Sequence, residues 1–556
     1  MYANIPYGPE RKAWEETLSP LATSRGHLLV SPPSKDPATL YNFREEPITS
    51  SWYQVPSSAL SKEQRLRALS ETAHAVKISE EEALGYRCSF RNHVNSAAEV
   101  NKDFYMSAHL NNGGSPFDVS YSGLATLWME RNVLDYYASL WNAKWPHDPK
   151  DPESYWGYIL TMGATEGNLH ALWNARNYLS GKYMINSVEQ SKSSLSNYHY
   201  NQCVCPTGNL NAFSPVVFYS TEAHYSIMKA TETMVVPSFN EVGSQKYPDK
   251  CPLGGKWPLA VPCTGGDSGP GTIDIEALTK LVDFFSAKGH PIIVVFSYGT
   301  TSKGAYDDVK AAGEALVPVL KKNYMYERKL CYLDPSTNSN AFITRKGFWF
   351  HVDGALGAAY APFLQMAHQN GLTQLVPPPM FDFRLDFVSS VVTSGHKFIG
   401  VPWPCGIYIS KTEFQLRPPN RSHVAVIESP DLTLASSRNA HSAIALWTYI
   451  STLSYDEQAR RAVEALKMAF HVEQKLKELE AEIKRDLWIM HSPSSLAVGF
   501  KRPNERISRK YCLCKSWLFA EGQWCQFVHI YTIDGDLKSS KINELVESLR
   551  CPDAFE

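Results

Sequence analysis

Hydrophobic positions along this chain recur with two different periods, and the switches between them mark out the elements. Residues 124–141 carry apolar side chains at helical spacing and predict an amphipathic helix, and residues 168–179 predict another. Residues 216–219 read as a strand. The middle of the chain then alternates: 275–288 helical, 292–297 β-rich, 309–320 helical, with 349–352 and 387–393 strand-like. Strands alternating with helices imply an α/β fold with a mostly parallel sheet covered on both faces. In open sheets of this kind ligands sit beyond the carboxyl ends of the strands, where this chain has its unusual polar residues.

The flanks differ. Residues 1–104 are rich in Pro, Ser and charge, with one helical stretch at 61–82, and are expected to wrap a partner subunit rather than form a core. Residues 105–410 are expected to form the large domain, interrupted by a polar stretch at about 187–214 that reads as a surface insertion and by a second insertion, rich in Gly, Pro and Cys, at 243–271. Residues 411–556 are expected to supply a loop and a small α+β domain. Its long helix spans 454–486, with Val463, Leu466, Phe470, Leu476, Leu479 and Ile483 as the buried stripe. A strand at 527–533 and a closing helix at 541–549 complete it.

Composition narrows the function classes. Of 556 residues, 44% are hydrophobic and 20% charged, as in ordinary globular proteins, and 54 basic against 56 acidic residues give no basic surplus for nucleic acid. No apolar run has membrane-spanning length, and the N-terminal MYANIPYGPERKAWEE carries charges and prolines where a signal peptide is apolar. The expectation is a cytoplasmic protein. The eleven cysteines show no disulfide framework, and the pairs Cys203/Cys205 and Cys512/Cys514 lack the second pair that a zinc site requires, so no metal is expected.

Five segments carry candidate chemistry. In VVTSGHKFIG a β-run ends at Ser394, Gly395, His396 and Lys397. Burial beside a strand lowers a lysine's pKa, and a neutral amine is what Schiff-base chemistry needs; alone, Lys397 reads equally well as an exposed turn lysine. In FHVDGALGAAYAP, Asp353 follows an apolar strand and is placed to pair with a pyridine nitrogen or to cap a turn. A strand with an Asp, then 44 residues later a strand with a Lys, is harder to obtain by accident. MGATEGNLHALWNAR puts small residues before a helix, a ready phosphate site or a plain cap. His224 follows a strand in YSTEAHYSIMKAT, where an imidazole can lie on a ring, although a lone histidine is more often structural; Thr300 ends a strand in YGTTSKGAYDDV.

Together these segments resemble the group II amino acid decarboxylases that depend on pyridoxal 5′-phosphate (PLP), most closely the histidine decarboxylase and plant serine decarboxylase branch. HLNNGGSPF (109–117), SSRNAHSAIALW (436–447) and KSWLFAEGQ (515–523) add to the match, which runs collinearly over roughly residues 100–549. The resemblance implies PLP fold type I, the aspartate aminotransferase architecture, in a homodimer with shared active sites. It implies Lys397 as the Schiff-base lysine, Asp353 on the ring nitrogen, His224 stacked on the ring and Ala355 on its other face. Ala164, Thr165, Ser394 and His396 would hold the phosphate, Thr300 would lie near the ring, and Asn111, Asn112 and Arg438 near the substrate. The implied reaction is decarboxylation of an L-amino acid to its amine through a quinonoid intermediate.

The chain also departs from the family. Ala164 stands where the family has Gly, and SSRNAH (436–441) loses two glycines. In the loop HVAVIE (423–428), Val426 falls where relatives carry a tyrosine associated with protonating Cα. His423, three residues away, is the candidate substitute acid, against the alternative of a solvated loop histidine. That departure keeps open a rival outcome, decarboxylation coupled to oxidative deamination with an aldehyde product, alongside another PLP lyase reaction and a catalytically inactive interaction protein.

Overall fold

A computed structural model of the chain describes residues 60–85, 110–117, 126–184, 200–266, 269–334, 337–415, 431–520, 523–533 and 537–555. The chain divides into two compact units, Met1–Glu82 and Ala83–Glu556. In the first, helix α1 (Lys62–Glu82) starts where the sequence predicts. Ser61 and Gln64 cap it reciprocally, Ser61 N donating to Gln64 Oε1 at 2.8 Å and Gln64 N to Ser61 Oγ at 3.2 Å.

The second unit begins with α2 (Thr126–Leu140), β1 (Tyr155–Leu160), α3 (Ala164–Leu179), β2 (Val216–Tyr219), α4 (Tyr225–Met234) and α5 (Phe239–Lys246). It continues through α6 (Ile275–Ala287), β3 (Ile292–Ser297), α7 (Val309–Lys322), β4 (Phe348–Asp353), α8 (Gly357–Gln369), β5 (Val388–Ser394) and β6 (Gly406–Lys411). These strands form one six-stranded sheet in the order β1-β6-β5-β4-β3-β2. β2, β3, β4 and β5 pair in parallel; β6 runs antiparallel to both β5 and β1, so five strands point one way and β6 is reversed.

Every residue of the six strands is buried. Period two therefore sorts residues between two covered faces rather than between core and water. Ile292, Val294 and Phe296 join the core that includes α6, α7 and α8, while Ile293 and Val295 join the one under α3 and α4. The architecture is the expected α/β one with a mostly parallel sheet.

The stretch at 243–271 is anchored in the core as well as exposed at its turns. Trp257 and Val261 lie in the main core, and the Trp257 indole donates to Tyr247 O at 2.8 Å. Its glycines and prolines make turns between buried anchors. Of the other expected insertion, 187–199 lies outside the described residues; 200–214 includes a short strand, Tyr200–Gln202, paired with Lys182–Met184, and buried Cys203 and Ala212.

After β6 come α9 (Ala440–Thr452), α10 (Tyr455–Ile483), β7 (Met490–His491), β8 (Ala497–Lys501), α11 (Glu505–Lys510), β9 (Lys515–Ala520), β10 (Gln523–Tyr531) and α12 (Ser539–Leu549). Strands β7-β8-β10-β9 form an antiparallel sheet, and its core includes residues of α10 and α12. Along α10, Val463, Leu466, Leu476 and Leu479 are buried as the stripe predicts, with Phe470 and Ile483 packed at its margin. Ser454 and Glu457 form a capping box that starts the helix. Among the described residues, no helix is long and apolar enough to cross a membrane.

Candidate active site

Four segments that follow carboxyl ends of the parallel strands meet around a cavity of about 300 Å³. Beyond β1 the chain turns through Gly163 into α3. Gly163 has φ 71°, and a Cβ there would stand 2.5 Å from His396 Cε1, so the close approach itself requires glycine. Ala164, free of any such demand, opens the helix, and its N–H donates to Ser394 Oγ at 3.1 Å. Glu166 fixes the preceding turn by accepting from Thr161 N at 2.6 Å, Thr161 Oγ1 at 2.9 Å and Met162 N at 3.0 Å. With Thr165 beside them, these groups make a helix N-terminus bordered by Ser394 and His396, suited to a phosphate.

Lys397 lies in the tight turn Gly395–Ile399 after β5, with φ −98° and ψ −115°. Three hydrogen bonds hold that turn: Gly395 N to Cys405 O at 2.7 Å, and Gly400 N and Val401 N to Gly395 O at 3.0 Å each. From α10, Arg461 Nη2 donates to Phe398 O at 2.6 Å, and its guanidinium lies 4.4 Å over the Phe398 ring. His396 Nδ1 is 3.1 Å from Cys405 O. Burial holds His396 below the ordinary histidine range, and the neighbouring Lys397 pushes in the same direction.

Asp353 ends β4, 7% exposed. Its Oδ1 accepts from Ala355 N at 3.2 Å and its Oδ2 from Asn168 Nδ2 at 2.9 Å. His224 caps α4, its Nδ1 accepting from Ser226 N at 3.2 Å and lying 2.8 Å from Ser226 Oγ.

The structure thus brings Ala164, Thr165 and His224 to one cavity with Asp353 and Ala355, and Ser394, His396 and Lys397 close it. Thr300 does not line it; its Oγ1 accepts from Ala305 N at 3.0 Å and serves its own turn. Asn111, Asn112 and Arg438 do not line it either. Arg438 is 2% exposed and ion-paired with fully buried Glu130; Asn112 Nδ2 donates to the same carboxylate at 2.8 Å, and Asn111 Oδ1 accepts from Arg438 N at 2.9 Å. Their hydrogen bonds hold segments together around Glu130. His423 and Val426 lie outside the described residues.

Sequence reasoning missed Asn168, Ser226, Met162, Tyr225 and Cys514, which also line the cavity. Asn168 and Ser226 stand inside motifs singled out for other residues, and Cys514 belongs to a pair read as simple thiols. Among the described residues, no group of three or more His, Cys, Asp or Glu side chains is arranged to hold a metal ion. A flat aromatic aldehyde with a phosphate tail fits these residues. An amine stands at the lysine turn, a buried carboxylate at the end of β4 and a helix N-terminus at the phosphate end, with Gly163 keeping the helix start clear of His396.

Comparison with known proteins points the same way. Residues 266–490 match the model of the pyridoxal-dependent decarboxylase conserved domain. The crystal structure of L-methionine decarboxylase from Streptomyces sp.590 is similar at a TM-score of 0.82 and 38% identity, covering 91% of this chain and 98% of that one. Serine decarboxylase 3 of Oryza sativa subsp. japonica is 27% identical over 74% of this chain and 68% of its own. The histidine decarboxylase of Vibrio campbellii is 26% identical over 77% and 85%.

Proposed function

This chain belongs to the pyridoxal-dependent decarboxylases, lyases that act on amino acids with PLP as cofactor, and we propose that its substrate is an unbranched apolar amino acid of the L-methionine type, converted to its amine and carbon dioxide. The observation that carries this reading is the 38% identity to the methionine enzyme along 98% of that chain, against 26% and 27% for the histidine and serine enzymes. Met162 and Cys514 on the cavity wall support it, since soft, polarizable side chains suit a thioether.

In this reading Lys397 would be the amine that holds the cofactor through its aldehyde carbon. Ala164 N–H, Thr165, Ser394 and His396 would hold its phosphate, and Ala355 would pack against its ring. When bound, PLP supplies an electron sink for the pair released as the carboxylate departs. Asp353 sustains that sink by keeping a proton on the ring nitrogen, and Asn168 and Ala355 N–H keep Asp353 in place for it. His224, on the cavity wall, would cover the ring and help exclude water. Orientation of the scissile bond by these fixed groups is the protein's principal contribution.

The test is a comparison of kcat/KM for L-methionine, L-norleucine, L-histidine and L-serine, with amine, aldehyde and peroxide all measured. Methionine should exceed histidine and serine by about a hundredfold, the scale that shape and polarity of a pocket provide, with amine as the product. Histidine or serine turned over as well as methionine overturns the substrate class, and stoichiometric peroxide overturns the simple decarboxylation. Lys397→Ala should abolish both turnover and the borohydride-trapped adduct; an adduct on another lysine refutes the assignment.

A further inference from the structure

Behind the cavity runs an unbroken set of buried side chains: Trp349, Ser390, His351, Asn168, then Asp353 on one branch and Ser226 with His224 on the other. All except Asp353 and His224 are at most 1% exposed, so water cannot stand in for a missing partner. The direction of each hydrogen bond follows from the members that have only one role.

Trp349 Nε1 is a donor only, and gives its proton to Ser390 Oγ at 3.0 Å. Ser390 Oγ is 2.8 Å from His351 Nδ1, and His351 Nε2 is 2.9 Å from Asn168 Oδ1. At the far end the Asp353 carboxylate accepts only, so the Asn168 amide must turn Nδ2 toward it, at 2.9 Å, and Oδ1 toward His351. His351 then donates from Nε2, and, being neutral, accepts at Nδ1 from the Ser390 hydroxyl. Burial, the dominant influence on His351, drops its pKa to about 4, consistent with that neutral ring.

The second Asn168 proton goes to Ser226 Oγ at 2.9 Å. Having accepted from Asn168, Ser226 still holds its own hydroxyl proton, and His224 Nδ1, 2.8 Å away, is an acceptor for it. An independent donor agrees: the Ser226 backbone N–H also points at Nδ1, at 3.2 Å. Two donors on Nδ1 leave no place for a proton there.

We propose that Asn168 is a positioning residue that, through one side-chain amide, orients Asp353 and fixes His224 as a neutral imidazole with its proton on Nε2. The proposal rests on the reading of this cavity as the PLP site. Its consequence there is electrostatic: a neutral ring over the cofactor leaves Asp353 as the charge that faces the protonated ring nitrogen, where a cationic imidazole would oppose it. Among the described residues, the other titratable groups at this cavity are Tyr225 on α4, His396 and Lys397 on the turn after β5, and Cys514 ahead of β9.

The test uses the holoenzyme labelled with ¹⁵N-histidine, with His224 identified by loss of its signals in His224→Gln. The expected spectrum has Nε2 protonated and Nδ1 bare, unchanged from about pH 5.5 to 8.5, whereas an ordinary histidine titrates near 6.5. A proton on Nδ1, or a midpoint inside that range, overturns the proposal. In Asn168→Ala the Ser226 hydroxyl loses the amide that orients it and is free to turn away from Nδ1, which leaves the Ser226 backbone N–H as the remaining donor there and holds the neutral tautomer less firmly. His224 should then titrate, kcat/KM should gain an acid limb at the same pH, and its plateau should fall about tenfold or more. Ser226→Ala should act likewise, and Ser226→Thr, which keeps the hydroxyl, should restore the wild-type tautomer. Variants that lose activity while the His224 spectrum and pH profile stay fixed reduce these residues to packing and refute the proposal. If Asn168→Ala does not fold, the two Ser226 variants decide. Failure of the cofactor reading shows separately, as absence of a visible band bleached by borohydride.

Discussion

Glu130 takes no part in the proposed reaction, yet three groups from three other segments close on its carboxylate: Ile159 N at 3.0 Å, Asn112 Nδ2 at 2.8 Å, and Arg438, whose Nη2 also donates to Gly114 O at 2.9 Å while its backbone N–H meets Asn111. A buried pair of this kind is costly to break by halves, because the abandoned charge has no solvent. Arg438→Ala should therefore destabilise the protein by about 3–5 kcal/mol in urea unfolding. Replacing both partners, Glu130→Leu with Arg438→Met, should recover much of that loss; equal destabilisation by the single and double variants would show that the pairing is not what matters. Asp353→Asn asks a different question of a buried acid. It should still bind PLP but lose about a hundredfold or more of kcat, since an amide does not hold a proton on the ring nitrogen as a carboxylate does. Near-normal turnover would mean that Asp353 does not serve the ring.

The start of α3 shows how a short motif becomes a cradle. Gly163 is placed at φ 71°, and a side chain there meets His396. Gly163→Ala should weaken PLP affinity about tenfold or more, measured by reconstitution of the apoenzyme, with a smaller effect on unfolding, because strain and displacement both fall on the phosphate end. Unchanged affinity would place the phosphate elsewhere. At this scale β2 and β3 were fully legible, and α2, α6, α7 and α10 nearly so, because their apolar period contrasts with polar flanks. α3 begins four residues before the expected 168, since Ala-Thr-Glu-Gly offers no apolar period to read. β1 and β6 escaped notice: YWGYIL and GIYISK are short, contain Gly and polar residues, and are buried on both faces, so no alternation marks them. The core role of Trp257 was hidden among turn residues. In the site, Lys397, Asp353 and His224 stood out by chemistry at strand ends, whereas the Asn168 relay depends on contacts between α3, α4, β4 and β5 that no local pattern encodes.

Across the whole molecule the buried titrating groups do not all pull one way with pH. Burial, with His351 nearby, drops His170 to about 3, and burial drops His351 to about 4; burial and neighbouring charges lower His290 and His396 as well. These bases contribute stability that is complete above about pH 6.5 and is lost as pH falls, because the unfolded chain takes up protons that the fold refuses. Asp307 opposes them: burial raises it to about 7, so acidification toward pH 4 favours the fold. His170 and His351 against Asp307 leave a net loss of stability as pH falls from about 6 to 4.5, because two groups that resist protonation outweigh one that favours it. The urea midpoint should fall accordingly, and His170→Gln should flatten the slope; a midpoint that rises on acidification would reverse the balance. We also propose that the protein works as a homodimer, with residues 1–104 covering the partner, and light scattering of active enzyme should give twice the mass of one chain; an active monomer would refute it. The reversed strand has a consequence of its own for how the chain comes into being. Among the described residues, β1 pairs with β6 and with no other strand, Tyr155 against Lys411, a separation of 256 residues. At about 5–20 residues per second on the ribosome, β1 waits roughly 13–50 s for its partner to be made. For that interval YWGYIL lacks the strand that it pairs with in the finished sheet, the kind of exposure that chaperones relieve, and the large sheet is completed only when β6, the strand after the lysine turn, has emerged.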